Sequence, residues 1–325
     1  MPLRCTAACA ILLLLAGCDN GQRSNDLPPA DPGVQAVATK DQTLDAEKLM
    51  AELDQEVAVM RGLPPESLKA RESAFGKRLE SALKTTITTR FENKNLYWLA
   101  YWRLTYGEGD GGDVDQLLDR LERMASPSWK ASGQSLRVQL RLHQGRIREA
   151  RALAEPLVAR IKEFSWLLDQ VVFHESIGQP APRLPGHNLN GGVADPLTGT
   201  EPWVVYLFVA RFDDATTALA TSYRQAIAAL KPPTPVRLVL VTFEGTGLEP
   251  VARLHRLSPP EHLPDLLWAN PNQGGDADDW RTRWKLPQSL PHACLIGPDR
   301  SIMAVDISPE ALARQLGGAL PGGGG

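Results

Sequence analysis

The chain has 325 residues, of which 43% are hydrophobic and 22% are charged, and its formal net charge is -3. This composition suits globular domains, and the length suits about two domains of 100–200 residues each. The acidic balance, without a basic cluster, argues against a nucleic-acid-binding surface, so we expect no nucleic-acid partner.

The first eighteen residues have the layout of an export signal. Arg4 supplies one positive charge, residues 6–17 form an uncharged and mostly apolar run, and Cys18 follows directly. A bilayer span takes about 20 apolar residues, so this run is too short to cross a membrane. A short apolar run behind a basic start is typical of a signal that is removed.

The sequence Leu15-Ala16-Gly17-Cys18 resembles the lipobox of bacterial lipoproteins. The resemblance implies that residues 1–17 are removed as a signal peptide and that Cys18 is lipidated, with palmitate as an expected acyl group. Two or more acyl chains make such anchoring stable. The protein is then expected on a cell membrane, facing the periplasm. Asp19 slightly favours the inner membrane, and the outer membrane is the alternative. The other interpretation of residues 1–17 is an ordinary secretory signal.

If the chain is a lipoprotein, only one of its four cysteines keeps a free thiol. Cys5 and Cys9 leave with the signal peptide, and Cys18 is consumed by lipid. Cys294 then remains as a single thiol, which cannot form a disulfide within the mature chain.

Residues 18–42 are predicted to be a flexible tether. They are polar, contain no aromatic residue and are rich in Pro, Gly, Asn and Asp. Such a composition cannot bury enough apolar surface to pack.

Residues 43–178 are predicted to form a helical domain, because apolar residues recur there at three- and four-residue spacing. Residues 140–150 resemble the middle of a tetratricopeptide hairpin, with a turn at Gly145-Arg146. One good copy is visible, whereas a stable array takes about three repeats, so an ordinary helical bundle is the alternative.

A Pro- and Gly-rich stretch over residues 180–201 predicts a domain boundary and a loop. The pattern then changes to buried strands that alternate with helices, which predicts an α/β domain over residues 183–319 and a flexible tail over 320–325. The predicted strands are 203–209, 236–242, 265–270, 293–296 and 301–305; the predicted helices are 215–230, 279–286 and a last one that is capped by Ser308.

Residues 183–319 resemble thioredoxin-like domains of the TlpA type, which are found on bacterial membranes facing the periplasm. The resemblance is carried by Asn188-Leu-Asn-Gly191, by the strand–helix–strand order, and by Leu290-Pro291-His-Ala-Cys-Leu-Ile296 with the turn that follows. It implies that Pro291 is the family's cis-proline, which faces an active dithiol.

The dithiol itself is missing. In the family a W-C-x-x-C motif follows the first long strand, where the helix N-terminus lowers the pKa of the first thiol. Aligned on Phe208, the cysteine positions are occupied by Asp213 and Thr216. Neither residue can exchange disulfides, so the resemblance implies a redox-inactive domain.

Other conspicuous residues have ordinary structural explanations. Asp213 and Asp214 are predicted to cap a helix. Cys294 is expected to act as a small buried hydrophobe. The acidic stretch 270–279 lacks the spacing of a calcium loop and is predicted to be a turn.

Trp280 and Trp284 share one helical face and are predicted to be core residues, and His292 could line a groove beside Pro291. We predict no metal, no cofactor and no catalytic residue.

Three functions remain open, of which the first is favoured. It is a non-enzymatic, membrane-tethered factor that binds a protein or peptide partner in the periplasm. The second is a thiol–disulfide or peroxide oxidoreductase that uses Cys294 with a partner thiol. The third is a structural or assembly factor of the cell envelope.

Overall fold

The computed structural model describes part of the chain, which divides into two compact units. The described residues are 48, 52, 55, 75, 78, 89–106, 112–124, 127–184, 186–187, 193–198, 202–210, 214–230, 235–243, 265–268 and 276–318. Among them one unit ends at Leu168 and the other begins at Asp169. The predicted signal peptide, tether and tail lie outside the described residues. None of the helices described is long and apolar enough to span a membrane.

The N-terminal unit is helical. Helix α2 packs against both α1 and α3, and α3 packs against α4. The described helices are α1 (Thr89–Tyr106), α2 (Gly112–Met124), α3 (Pro127–His143), α4 (Ile147–Arg160), a 3-10 turn (Lys162–Phe164) and the start of α5 (Trp166–His174).

Helix α1 is buried all round over two turns. Every residue from 95 to 102 is at most 9% exposed. A helix with apolar and aromatic residues on all sides belongs in an interior, not on a surface. The edge-on contact between Phe75 and Trp102, with ring centroids 4.8 Å apart, adds to this core.

The predicted hairpin at residues 140–150 is confirmed as a helix–turn–helix. Gly145 has a φ of +69°, a conformation that side chains disfavour, and the amide of Arg146 donates to the carbonyl of Arg141 at 2.8 Å. This is the hydrogen bonding of a glycine C-cap. Ala150 and Ala154 are fully buried in α4, where small side chains allow close helix approach. The tetratricopeptide resemblance itself stays a prediction.

A charge network ties α3 to α2. Arg137 reaches Asp115 at 2.8 Å, Asp119 at 2.8 Å and Glu122 at 2.9 Å. Burial alone would lower the pKa of Arg137, but hydrogen bonds and charges from Glu122 and Asp119 raise it overall. The guanidinium is therefore charged and paired, which is the condition under which a buried charge is tolerated.

The C-terminal unit contains the end of α5 and a mixed sheet. Among its described residues seven strands run in the order β2-β1-β5-β4-β3-β6-β7. Strands β3, β4 and β5 are parallel, and every other neighbouring pair is antiparallel. The strands are β1 (Gly186–His187), β2 (Val193–Ala194), β3 (Trp203–Val209), β4 (Val236–Thr242), β5 (Asp265–Trp268), β6 (His292–Ile296) and β7 (Ile302–Val305); the helices are α6 (Asp214–Ala228), α7 (Asp276–Trp284) and α8 (Pro309–Gly318).

The sheet has two buried faces, because side chains alternate along each strand. On the first, which we call the α6–α8 face, Leu207 and Leu295 pack with Leu219 and Leu312. The hydroxyl of Tyr223 in α6 donates to the carbonyl of Ile307 just before α8. The second, which we call the α7 face, buries Val204, Tyr206, Phe208, Val239, Val241, Cys294 and Ile296 beneath Phe173, Trp280 and Trp284.

The predicted strands 203–209 and 236–242 are confirmed with their bounds, and the other predicted strands and helices lie within a few residues of β5, β6, β7, α6 and α7. The cap of α8 is also confirmed, since the Ala311 amide donates to Oγ of Ser308 at 3.2 Å. Strands β1 and β2 fall where a loop was predicted. Each is only two residues long, so its sequence carries no apolar run.

The second unit begins at Asp169, within α5. The physical reason is Phe173, which is fully buried in the core of the α7 face. The last turns of α5 therefore belong to the sheet that they cover.

Candidate functional site

The two sequence positions that replace the dithiol differ in how far they can be placed. Thr216 lies in the first turn of α6 and is half-buried. Asp213 and the side chain of Asp214 lie outside the described residues, so their predicted capping role stays a prediction.

Pro291 stands immediately before β6, and its peptide bond to Leu290 is cis. Strand β6 runs antiparallel to β3, with His292 opposite Phe208. Pro291 therefore lies at the same end of the sheet as the carboxyl end of β3, the end from which the chain continues to α6. This is the end of the sheet at which the resemblance implied an active site.

Cys294 lies in the middle of β6 and is fully buried. It is paired with Tyr206 across the sheet. Burial raises the pKa of its thiol well above the usual value, and the negative charge of Asp306 adds to the effect. Because the thiolate is the nucleophile, a buried thiol held in its neutral form is a poor partner for disulfide exchange.

A carboxylate between two histidines lies near this thiol, and we call the three residues the His–Asp–His bridge. Nδ1 of His292 is 2.6 Å from Oδ1 of Asp306. Nε2 of His174 is 3.6 Å from the other carboxylate oxygen, Oδ2. His292 is 4% exposed, and the edge of its ring meets Phe173 with centroids 5.1 Å apart. The bridge therefore joins the end of α5, the start of β6 and the β7–α8 connection.

Asp306 is held in an unusual backbone conformation. Its φ is +51°, in the left-handed region that Asp adopts more readily than most residues. Burial alone would raise the pKa of its carboxyl, but the charge and hydrogen bond of His292, together with the nearby imidazole of His174, hold the pKa far below its usual range. The carboxylate is therefore ionised at neutral pH.

Three buried polar atoms on the α7 face have no hydrogen-bond partner among the described residues. They are Nε2 of His292, the hydroxyl of Tyr206 and Nε1 of Trp284. Buried polar atoms are nearly always paired, so each of these is an exception with an energetic cost. Trp280 and Trp284 are at most 2% exposed, as predicted for core residues.

Sequence reasoning named His292, Cys294 and Pro291 but missed His174 and Asp306. Asp306 and His292 are fourteen residues apart along the chain, on opposite sides of a hairpin. The only available signal was the antiparallel hairpin, which brings the end of β7 beside the start of β6. Among the residues described, no group of three or more side chains could hold a metal ion.

The strand arrangement defines the class of the C-terminal unit. A parallel pair, β3 and β4, is followed by an antiparallel hairpin, β6 and β7, in the order β4-β3-β6-β7, with α6 between the first two strands. Along the chain, the strand–helix–strand order followed by a hairpin is the one that the resemblance implied. The unit is a thioredoxin-like α/β domain.

Comparison with known proteins gives structural neighbours only. No family model matches the chain, and no curated protein matches it. The thioredoxin domain of a thiol-disulfide oxidoreductase from Bacteroides vulgatus is 15% identical, covering 43% of this chain and 94% of that one, with a TM-score of 0.37. A thiol:disulfide interchange protein from Bacteroides sp. is 14% identical over 45% and 90% of the two chains, with a TM-score of 0.37.

A thioredoxin-like protein from Bacteroides caccae matches along more of the chain. It is 10% identical and covers 92% of this chain and 100% of that one, with a TM-score of 0.41. Identities and TM-scores of this size transfer neither activity nor site residues.

Proposed function

We propose that this protein is a membrane-anchored lipoprotein of the periplasm whose thioredoxin-like domain does no redox chemistry and serves to bind a protein or peptide partner. An accessory or assembly role in the cell envelope is included in this proposal. The observation that carries it is the state of the thiols. Cys294 is the only cysteine after Cys18 in the sequence, and its side chain is fully buried.

Exchange between a thiol and a disulfide needs a thiolate that attacks and a second thiol that resolves the mixed disulfide. Burial keeps Cys294 protonated, and the chain offers no second thiol in its mature form. Asp213 and Thr216 stand where the family has its cysteines, so the scaffold is kept without the reactive pair.

Restoring the pair tests the redox part of the proposal. The double variant Asp213→Cys/Thr216→Cys should gain reduction of insulin disulfides in the presence of dithiothreitol, while the wild type stays at the uncatalysed rate. The matched control, Asp213→Ser/Thr216→Ser, should remain inactive. Turnover by the wild type that is lost in Cys294→Ser would instead establish the oxidoreductase that uses Cys294 with a partner thiol.

The anchor is tested separately. Intact-mass measurement of the protein from membranes should show a chain that begins at Cys18 and carries the mass of two or more acyl groups. Cys18→Ser should leave the membrane and keep its fold, judged by circular dichroism. A Cys18→Ser variant that still partitions into the detergent phase would contradict lipid anchoring.

The binding role is tested by affinity capture from solubilised membranes after crosslinking. The wild type should retain the same partner in repeated preparations, and substitutions around Pro291 should lose it. Repeated capture without any reproducible partner, under conditions that keep the protein folded, would contradict the binding role.

A further inference from the structure

The outer edge of β7 is covered by a short piece of the same chain. Among the described strands β7 is the last in the sheet order, with β6 on its inner side. The amide of Gly178 donates to the carbonyl of Ile302 at 2.8 Å, and the amide of Ile302 donates to the carbonyl of Gln179 at 2.9 Å. Residues 178–181, which we call the edge strap, therefore occupy backbone groups through which β7 could otherwise pair.

The edge strap runs antiparallel to the chain that enters β7. Pro180 lies opposite Ser301, and the amide of Ala181 donates to the carbonyl of Arg300 at 2.9 Å. Two strap residues, 178 and 179, face the single residue Ile302, which is the arrangement of a β-bulge. The strap is thus an irregular extra strand and not a continuation of the sheet.

Strand β7 has the composition of a strand that needs such a cover. It consists of Ile302, Met303, Ala304 and Val305, with neither a charge nor a proline. Natural edge strands avoid pairing with other chains by carrying charges or prolines, or by being covered. Since β7 lacks the first two devices, the edge strap provides the third.

The exposed apolar side chains of the described residues lie at the same place. Ile177, directly before the edge strap, is 38% exposed, and Met303 on β7 is 39% exposed. They are the two large hydrophobic side chains that are exposed among the residues described. An association through this edge would bury apolar surface as well as pair backbone groups.

The edge strap itself is a poor template for a further strand. Because the amide of Ala181 points to β7, alternation along the strap places the nitrogen of Pro180 on the outer side, where it has no hydrogen to donate. Pro182 also lacks an amide hydrogen, and Gly178 has a φ of +83°, which departs from a strand. The strap therefore ends the pairing that β7 would continue.

Few contacts hold the edge strap in place. Gly178, Gln179 and Pro180 are exposed, and the apolar attachment of the strap is the half-buried Ala181, which packs on the core of the α7 face. Segments with few buried apolar contacts open at a lower free energy than the core of a domain. The strap can thus be displaced while the sheet beneath it stays folded.

We propose that the edge strap keeps β7 from pairing with β7 of a second copy of this chain, and that displacing the strap turns this edge into a dimer interface. Two identical edge strands pair antiparallel about a twofold axis, where each copy offers the other the same groups. The inference goes beyond the binding role proposed above, since it concerns β7 and not the surroundings of Pro291.

Light scattering of the full-length protein, in the same detergent throughout, measures the mass of the protein part. Gly178→Pro/Ala181→Pro removes both amides that the edge strap directs at β7, and proline cannot adopt the φ of +83° at the first position. This variant should have about twice the mass of the wild type, as expected for a twofold pair. Gln179→Ala, the matched control, keeps the backbone bonds of the strap and should have the wild-type mass.

A milder variant covers the case in which the double variant fails to fold. Ala181→Pro alone removes one of the two amides and should associate at higher protein concentration than the double variant. The circular dichroism spectrum of each variant should match that of the wild type. Wild-type mass for the double variant and for Ala181→Pro at every concentration would overturn the proposal.

Met303→Lys separates pairing through β7 from association caused by unfolding. Added to the double variant, it places like charges beside the twofold axis of a β7 pair and should return the mass to that of the wild type. Hydrogen–deuterium exchange of the peptide covering residues 298–306 should show protection in the wild type and in the dimer, and loss of protection in the triple variant. Association that persists with Met303→Lys, or a dimer in which this peptide is unprotected, would overturn the proposal.

Discussion

Strand β6 shows how differently the two faces of the sheet are built. Ala293 and Leu295 point to the α6–α8 face, where they join a cluster of buried apolar side chains and where the hydroxyl of Tyr223 donates to the carbonyl of Ile307. His292 and Cys294 point to the α7 face, where the thiol and three unpartnered polar atoms lie among aromatic rings. The α6–α8 face therefore provides stability mainly through apolar packing. The α7 face buries polar groups at a cost in stability. We expect function and regulation on this face.

The largest effect should come from the apolar face. Leu295→Ala removes a fully buried side chain and leaves a cavity, so we expect a loss of about 3 kcal/mol in the free energy of unfolding. Urea denaturation followed by circular dichroism measures it. Met303→Ala, at a side chain that is 39% exposed on the neighbouring strand, is the control and should stay within about 0.5 kcal/mol of the wild type. A Leu295→Ala loss as small as that of the control would contradict the packing that we assign to this face.

Asp306→Asn should have the next largest effect, and one that depends on pH. Removing a charged acceptor from two histidines is expected to cost about 2 kcal/mol at pH 7. The pKa of Asp306 is depressed in the folded protein, so its contribution is complete above the ordinary carboxyl pKa and is lost as the pH falls below about 4. The stability curves of wild type and variant should therefore converge in acid. Parallel curves down to about pH 3 would show that the carboxylate is not the source of the difference.

Cys294→Ser tests the α7 face, and we expect a smaller loss in the free energy of unfolding than for Asp306→Asn. The hydroxyl would replace the thiol in a cluster of buried, mostly apolar side chains, which is expected to cost about 1–2 kcal/mol. Cys294→Ala removes the sulfur without adding a polar group and should cost less. The two are compared by urea denaturation, and a serine variant as stable as the alanine variant would mean that the site is wetter than its burial indicates.

Ser308→Ala should have the smallest effect. It removes the side-chain oxygen that accepts from the amide of Ala311 at the start of α8, for about 1 kcal/mol. Ser308→Gly is the matched comparison, because glycine is a far better cap than alanine and should recover most of the loss. Thermal unfolding of the wild type and of the two variants measures the effect. Equal unfolding midpoints for the three proteins would show that Ser308 does not cap the helix.

The sequence was informative wherever a structural element produces its own local pattern. Strands β3 and β4 are uninterrupted apolar runs between turn residues, so their bounds could be predicted. Strands β1 and β2 have two residues each, too few for any periodicity, and were predicted as loop. Phe173 reads as one more apolar residue of a helix, and only the fold shows that it packs on the sheet.

The site was harder to predict for a different reason. Pro291 and Cys294 belong to one contiguous motif, which made the resemblance visible. The partners of His292 come from residues 174 and 306, and their meeting depends on the left-handed backbone at Asp306. No spacing rule connects three such positions, so a lone histidine gave only a weak hint of the bridge.

The proposed lack of redox activity depends most on the burial of the Cys294 thiol. Counting the reactive thiols of the protein tests this proposal most directly. The protein in its proposed mature form, which begins at an acylated Cys18, is treated with a chromogenic disulfide reagent before and after unfolding in guanidinium chloride. We predict no reactive thiol in the native protein and one after unfolding, with no insulin reduction under native conditions. Rapid labelling of Cys294 in the native protein, together with turnover of a disulfide substrate, would contradict a thioredoxin-like domain without redox activity.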